Sequence, residues 1–592
     1  MKTNRWKIEY SLYGLALLLA LGIRLVALKT IALNDIEAGW AMQAFGLARG
    51  QAVNMGPQPL YVLFTSLLFS LLGSDNLLAR LLPVLAGSLL VLFPYFMRGY
   101  IGRWAAVIMA FGLALDPALV FLSRTAGSQM PALTFSLLAL AAVFARRPAW
   151  AGFFAGLALL SGPQVLAGAL ALGLVWGAGK LLANAGIVQP IELENQADTP
   201  PKDHPVRLGL FFLAGTLLVA GTLFFRFPLG LGALADVLPA YFGGWTAPSG
   251  IPALRIPAAW VFYQPLVLFF GLAGVSRAWV ARHPQYNHMR WLCLWAFFAL
   301  AVAMLYPARQ VADLAWALVP LWALTAMEIE WDLSSVGLRA NKPIALGQAA
   351  LIFLLLVFAW FAMASLRNFA GDMQQIGLRS AILLIIGAAA MATVTTLLVA
   401  LGWSWQTARL GMVWGLALTL GLYMLSGMWR SAGLRAVYSD VIGQDLWSSA
   451  STTTQADLFS KTMTDLSEWN TGQNDTLQVV STVDFPSIKW VLRNWEQVSF
   501  TREIPAGEQP AIILTPKDQT NLNNSQTYRG QEFAWEETQT WQGILPPDFP
   551  SWFAFHEAPH QPAAIILWVR SDLFPSHPVV PGSSSPVQNT SP

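Results

Sequence analysis

From Ser11 to about Trp429 the chain is a series of apolar runs joined by short connections. From Arg430 onward it turns polar, with clusters such as SSASTTTQ and TNLNNSQT. A helix that crosses a bilayer needs roughly twenty predominantly apolar residues. Runs of that kind fall near 11–28, 76–97, 104–122, 130–145, 149–161, 164–179, 208–226, 257–276, 290–306, 311–327, 345–366, 380–400 and 410–428, about thirteen in all. The pair 149–161 and 164–179 is short, and Gly162-Pro163 between them reads as a break joining two half-length helices inside a bundle. Of the 592 residues, 55% are hydrophobic and only 11% charged. An average soluble domain carries about a quarter charged residues, so the fold class is a polytopic α-helical membrane protein.

The single cysteine, Cys293, excludes an intramolecular disulfide and a cysteine-based zinc site. A net charge of +3, scattered between apolar runs, leaves no nucleic-acid footprint. The N-terminus MKTNRWKIEY resembles the start of a signal peptide, but the apolar run is long and no small-residue cleavage site follows, so it reads as a retained first span. Placing Lys2, Arg5 and Lys7 in the cytoplasm and alternating sides puts a basic set in every inner loop. These are Arg98/Arg103, Arg146/Arg147, Lys180/Lys202/Arg207, Arg277/Arg282/Arg290, Arg339/Lys342 and Arg409. The expected localisation is the cell (plasma) membrane, with a cytoplasmic N-terminus and an extracytoplasmic C-terminal domain.

On that topology the first outer loop, 29–75, carries two carboxylates, Asp35 and Glu37, just past the first span. Residues 36–48 place Ile36, Trp40, Ala44 and Leu47 at helical spacing, and Tyr61–Leu72 forms a second short apolar stretch. Both suit interfacial or re-entrant helices. Asn34 or Asp35 is also a good N-cap, and acids in a first turn are favoured by the helix dipole, so a capping role stands beside a chemical one.

The order NDIEAGWAMQAFGLARG, then GPQPLYVLFTSLLFSLLGSDNLLARLLPVLAGSLLVLFPYFM, then LALDPALVFLSRTAGSQM resembles the layout of the GT-C membrane glycosyltransferases. These include the protein O-mannosyltransferases and the aminoarabinose transferase of lipid A (glycosyltransferase family 39-like). The chain also resembles the archaeal flippase-activity-associated membrane proteins. GLALLSGPQVLAGAL resembles the family's paired half-spans, and YPARQVADLAWALVPLWAL its basic stretch ahead of a late span. Where the family shows adjacent Asp-Glu, Ile36 here separates Asp35 from Glu37. Ser128-Gln129 stands where a second-loop acid is common.

The resemblance implies transfer of a sugar from a polyprenyl-phosphate donor to an extracytoplasmic protein, lipid or glycan, with inversion expected. It implies a carboxylate base, Asp35 first and Glu37 second, since a carboxylate partly desolvated at the membrane surface can take the acceptor's proton. The departing phosphate needs fixed cations; Arg124 and Arg309 fit, although arginines at helix ends also snorkel to headgroups. Arg80 fits a role in positioning the loop. The need for a divalent cation is left open.

Residues 430–580 read as an extracytoplasmic α/β domain of a usual single-unit size, with TLQVVSTV, AIILTP and AAIILWVR as short strands. SIKWVLRNWEQVSF reads as an amphipathic helix followed by a strand. The tail 581–592 (GSSSPVQNTSP after Pro581) reads as disordered. HEAPH, 556–560, has the letters of a zinc-protease motif, but that motif works on a helix and Pro559 opposes one. Asn474-Asp475-Thr476 and Asn523-Asn524-Ser525 are glycosylation sequons. Two other classes stay open: a transporter or flippase-associated component, for which Arg24 in the first span is the main signal, and a non-catalytic membrane scaffold.

Overall fold

The computed structural model describes residues 2–190, 205–280, 286–336, 341–364, 372–433, 446–447, 451–504, 509–519, 527–547, 549, 552–553 and 560–574. Lys202, Arg282, Arg339, the sequon at Asn523, the tail 581–592 and all of HEAPH except His560 lie outside them. The chain divides into two compact units, Met1–Ser451 with Gln539–Gln561, and Thr452–Thr538 with Pro562–Pro592.

The first unit is helical. It opens with α1 (Lys2–Leu25), α2 (Asp35–Ala48), α3 (Pro59–Leu72), α4 (Asn76–Leu90), α5 (Phe93–Ile101), α6 (Arg103–Leu115), α7 (Pro117–Ser123) and α8 (Gln129–Phe144). It continues with α9 (Pro148–Leu160), α10 (Gln164–Asn184), α11 (Pro205–Gly221), α12 (Leu229–Ala235), α13 (Val237–Gly243), α14 (Arg255–Tyr263), α15 (Pro265–Val280) and α16 (Asn287–Leu305). The last four are α17 (Ala315–Trp331), α18 (Lys342–Ala364), α19 (Asp372–Gly402) and α20 (Trp405–Ser431). Among the described residues eight stretches are long and apolar enough to cross a membrane, and ten if each of two bent pairs counts as one span; five further apolar helices are shorter. The two loop helices expected at 36–48 and 61–72 are α2 and α3, each of 14 residues.

Three expected spans differ in form, and each difference has a local cause. The run 104–122 is broken into α6 and α7 with a 55° bend, and 257–276 into α14 and α15 with a 102° bend. Both breaks fall on a residue that precedes proline, Asp116 and Gln264, where the proline ring disfavours the helical region. The two breaks meet. The Asp116 carboxylate accepts from Gln264 Nε2 at 2.9 and 2.8 Å and from Trp322 Nε1 at 2.8 Å, and it caps α7 through the Leu119 amide. The run 164–179 is the 21-residue α10, which does not stop at Lys180 but carries it on to Asn184. A lysine stem can lie along apolar surface while its ammonium reaches the interface.

The break between α9 and α10 is buried, as its sequence suggests. Gly162 has φ +108°, and a Cβ there would sit 2.7 Å from the Pro57 carbonyl oxygen. Left-handed backbone costs an L-residue about 1–2 kcal/mol, and the clash adds to it. Gly162→Ala is therefore expected to lower the melting temperature of the purified protein clearly; an unchanged value would show that the Pro57–Gln58 turn yields at no cost.

Residues Gln539–Gln561 belong to the helical unit through aromatic packing. Phe549, Trp552 and Phe553 lie against Phe262, at 5.1, 5.8 and 5.9 Å between ring centroids. Arg255 donates to the Gly543 carbonyl at 3.1 and 2.6 Å and lies over the Trp541 ring.

The second unit is built on a mixed six-stranded sheet of order β1-β5-β6-β4-β2-β3, from β1 (Thr452–Thr453), β2 (Val479–Ser481), β3 (Val498–Phe500), β4 (Ile512–Pro516), β5 (Tyr528–Gln539) and β6 (His560–Arg570). β2 runs parallel to β3 and β4, and β4 antiparallel to β6. Helices α21 (Ala456–Thr471) and α22 (Pro486–Val491) complete it. The SIKWVLRNWEQVSF stretch is α22 followed by β3, as its pattern predicts. His560 opens a strand rather than sitting on a helix.

Candidate active site

The end of the helical unit that carries α2 and α3 is organised by arginines that satisfy orphaned backbone carbonyls. Breaking a helix at Asp116 leaves the last carbonyls of α6 without partners. The buried Arg24 supplies them, donating to Leu113 O at 3.2 Å and Ala114 O at 3.0 Å, and to Ser123 Oγ at 3.0 Å. The charge that pointed toward a transport pathway is thus a helix cap. Arg124 does the reverse service for the end of α1: its Nη1 donates to the carbonyls of Ile23, Arg24 and Val26 at 3.0, 3.0 and 2.8 Å. Burial, with the neighbouring Arg80 second, pushes the Arg124 pKa down to about 10, so the group stays charged at neutral pH. Its Nη2 is buried without a hydrogen-bond partner.

Glu37 and Arg80 form the centre of the loop. Glu37 sits in the first turn of α2, in a reciprocal cap with Asn34. Its carboxylate accepts from Arg80 Nε at 2.8 Å and Nη2 at 2.6 Å, from the Ala126 amide at 2.6 Å and from the Asn34 amide at 3.2 Å. Both side chains are almost fully buried. Arg80 also donates to the carbonyls of Ile31 at 2.7 Å and Ala32 at 2.9 Å, which fixes the chain between α1 and α2. Asp35, the first residue of α2, is only partly buried. Asp75 caps α4 through the Leu78 amide at 2.7 Å.

Arg309 lies in a second segment of the same end. Its Nη1 donates to Ile251 O at 2.9 Å, and its Nε is buried without a partner. The adjacent Gln310 forms a reciprocal cap with buried Asp313 and accepts from Gln129 Nε2 at 3.3 Å. A chain of contacts therefore runs by hydrogen bonds from α2 through Glu37 to Ala126, along the backbone to Gln129, and by a further hydrogen bond to the Arg309–Asp313 turn. Of the residues singled out in the sequence, Glu37 and Arg80 are in direct contact, Arg124 lies beside Arg80, and Arg309 is reached through this chain. Sequence reasoning missed Asp116, Gln264 and Asp313. The signal for the first two was an Asp-Pro and a Gln-Pro inside otherwise apolar runs.

Among the described residues no three His, Cys, Asp or Glu side chains converge as a metal site. Glu37, the carboxylate at the centre of the loop, already has its oxygens filled by Arg80 and two amides.

No protein-family model matches the sequence, and none of the curated proteins does. Solved structures do. The crystal structure of ArnT, the aminoarabinose transferase, from Cupriavidus metallidurans bound to undecaprenyl phosphate aligns over 95% of this chain and 98% of that chain, with a TM-score of 0.53 and 14% identity. The same protein in the apo state aligns over 97% and 99%, with a TM-score of 0.52 and 15% identity. The oligosaccharyltransferase of Archaeoglobus fulgidus, tethered with an acceptor peptide, aligns over 83% of this chain and 63% of that one, with a TM-score of 0.40 and 15% identity. Taken with its apolar helices and its C-terminal sheet, the chain is a multi-pass membrane protein with the GT-C fold.

Proposed function

We propose that the chain is a membrane glycosyltransferase that moves a sugar from a polyprenyl-phosphate donor to an extracytoplasmic protein, lipid or glycan. The observation that carries the reading is the GT-C fold shared with ArnT over 95% of the chain. The loop fits the chemistry. In a single inverting displacement, an acceptor oxygen attacks the anomeric carbon, the carbon–oxygen bond to phosphate breaks, and the acceptor's proton goes to a carboxylate. Asp35 is that base, because Glu37 is held in a bidentate pair and its lone pairs are already occupied. Glu37 and Arg80 fix the loop. The unpartnered buried N–H groups of Arg124 and Arg309 are the donors for the charge that develops on the leaving phosphate. Metal chemistry enters no step of this account.

The topology reading is supported by where the cations lie. Arg98, Arg103, Arg146, Arg147 and Lys180 fall on the ends of α5, α6, α8, α9 and α10 remote from the α2–α3 loop, as the positive-inside rule requires of a cytoplasmic face. The active loop is then extracytoplasmic, in the plasma membrane.

The decisive assay is transfer from radiolabelled polyprenyl-phosphate sugars to membrane acceptors. Within it, Arg309→Gln is expected to lower turnover about a hundredfold, the usual scale for losing one preorganised donor to a developing anion. Undiminished turnover would remove Arg309 from the phosphate site. Wild-type membranes that transfer no sugar from any such donor would favour the scaffold or transport readings.

A further inference from the structure

At the end of the helical unit opposite the α2–α3 loop, a cavity of about 800 Å³ opens between α5, α6, α8, α10, α16 and α17. The alternation of the helices fixes this placement: α5 ends there at Ile101, α8 at Phe144 and α10 at Asn184, while α16 begins there at Asn287. The volume is within the roughly 300–1,000 Å³ of small-molecule sites. The lining is overwhelmingly apolar, with Phe93, Met97, Phe144, Leu172, Trp291 and Ala323 among the walls. Gly179 lets one wall close up, since a Cβ on it would meet the Trp291 ring at 2.0 Å. The Trp291 indole N–H is tied to the Gln189 carbonyl at 3.0 Å, so this wall is held in place.

Apart from the indole N–H groups of its tryptophans, the polar side chains of the lining are Tyr100, Lys180, Asn184 and His288. Lys180 is exposed, and its ammonium lies 3.8 Å from the centre of the exposed Trp176 ring. His288 sits edge-on to Tyr100 at 5.6 Å between ring centroids. An apolar chamber between membrane helices, with an exposed lysine and an indole at its rim, has the chemistry of a lipid site: chains inside, an anionic headgroup at the ammonium. A neutral soluble ligand would leave that cation unmatched and would need more polar contacts than these walls offer.

We propose that this cavity binds an anionic phospholipid of the surrounding membrane, its acyl chain among Met97, Phe144 and Trp291 and its phosphate at Lys180. The site is separate from the candidate active loop and does not depend on its chemistry. Basic pockets between spanning helices on the cytoplasmic side are known headgroup sites, and Lys180 falls on the side assigned to the cytoplasm.

The test uses the delipidated full-length chain in neutral detergent, titrated with dioleoyl phosphatidylglycerol, with dioleoyl phosphatidylcholine or with undecaprenyl phosphate, and read by native mass spectrometry. One phosphatidylglycerol is expected to stay bound under activation that strips phosphatidylcholine. Lys180→Gln, a surface change, is expected to weaken its retention about five-fold. Ala323→Phe, which fills the chamber, is expected to abolish retention of the chain. Equal retention of the two phospholipids, or phosphatidylglycerol binding indifferent to both variants, would overturn the proposal. Displacement of phosphatidylglycerol by equimolar undecaprenyl phosphate would overturn it too, by giving the cavity to the polyprenyl carrier.

Discussion

Arg80→Ala is expected to release the α2–α3 loop and to lower stability by about 3–5 kcal/mol, the scale for removing one partner of a buried ion pair. The size follows from what is left behind. Glu37 is about as buried as a core leucine, and without the guanidinium its charge keeps only two amide donors. The Ala32 carbonyl loses the Arg80 donor in the same step, and the Ile31 carbonyl keeps only the longer bond from Asn76. Hydrogen exchange at residues 29–48 should rise sharply, and accumulation in membranes should fall. Glu37→Gln is expected to cost less, because an amide oxygen still accepts from Arg80 and the arginine keeps its backbone partners. A double-mutant cycle over Glu37→Gln and Arg80→Gln should then return a coupling of about 0.5–3 kcal/mol, the range for side chains in direct contact. A coupling near zero would mean that the two residues act independently. Arg80 would then be an ordinary helix-end cation, and the loop would be held by Asn76, which donates to the Lys29 and Ile31 carbonyls.

Much of this arrangement could be read from the sequence, and the reason is lipid. In hydrocarbon the backbone must satisfy itself, so apolar length reports helices directly; α2, α3, α8 and α16 fall within a few residues of the stretches picked out by hydropathy. The same reasoning handled the sheet unit less well. β2, β4 and β6 are runs of Val, Ile and Leu and announce themselves, whereas β5, YRGQEFAWEETQ, carries charged residues along its length and gives little hydropathy signal. Nor does hydropathy show that Gln539–Gln561 packs with the helices, since Trp541, Phe549 and Trp552 stand among prolines and glycines in a polar region.

The site divides along a similar line. The acids, the loop helices and Arg80 were legible because charges are scarce in such a chain and each must have a reason. What a residue does with its charge was not legible, because that depends on partners distant in sequence. Arg24 reads as a charge in a span and is a cap for α6, ninety residues away. Glu37 and Asp35 read as near-equivalent bases, and only the third dimension shows Arg80 and the Ala126 amide closing on one of them.

That asymmetry sets the experiment on Asp35. Asp35→Asn is expected to lower turnover by 10²- to 10⁴-fold, roughly what a positioned general base contributes, with little change in stability. The second half of the expectation is what gives the first its meaning. At the first position of α2 the lost charge weakens the interaction with the helix dipole, about 0.3–1 kcal/mol, and Asn34 still caps the helix. Hydrogen exchange over 29–48 should therefore match the wild type while transfer collapses, the opposite of the Arg80→Ala pattern. Asp35→Glu carries the same charge one methylene further and should recover part of the activity if proton removal is the role. An Asp35→Asn protein that transfers sugar at the wild-type rate, with the loop intact, would reduce Asp35 to a helix-end charge. Glu37 would then be the base only if Glu37→Gln silences transfer while leaving exchange over 29–48 unchanged, which its four hydrogen bonds argue against.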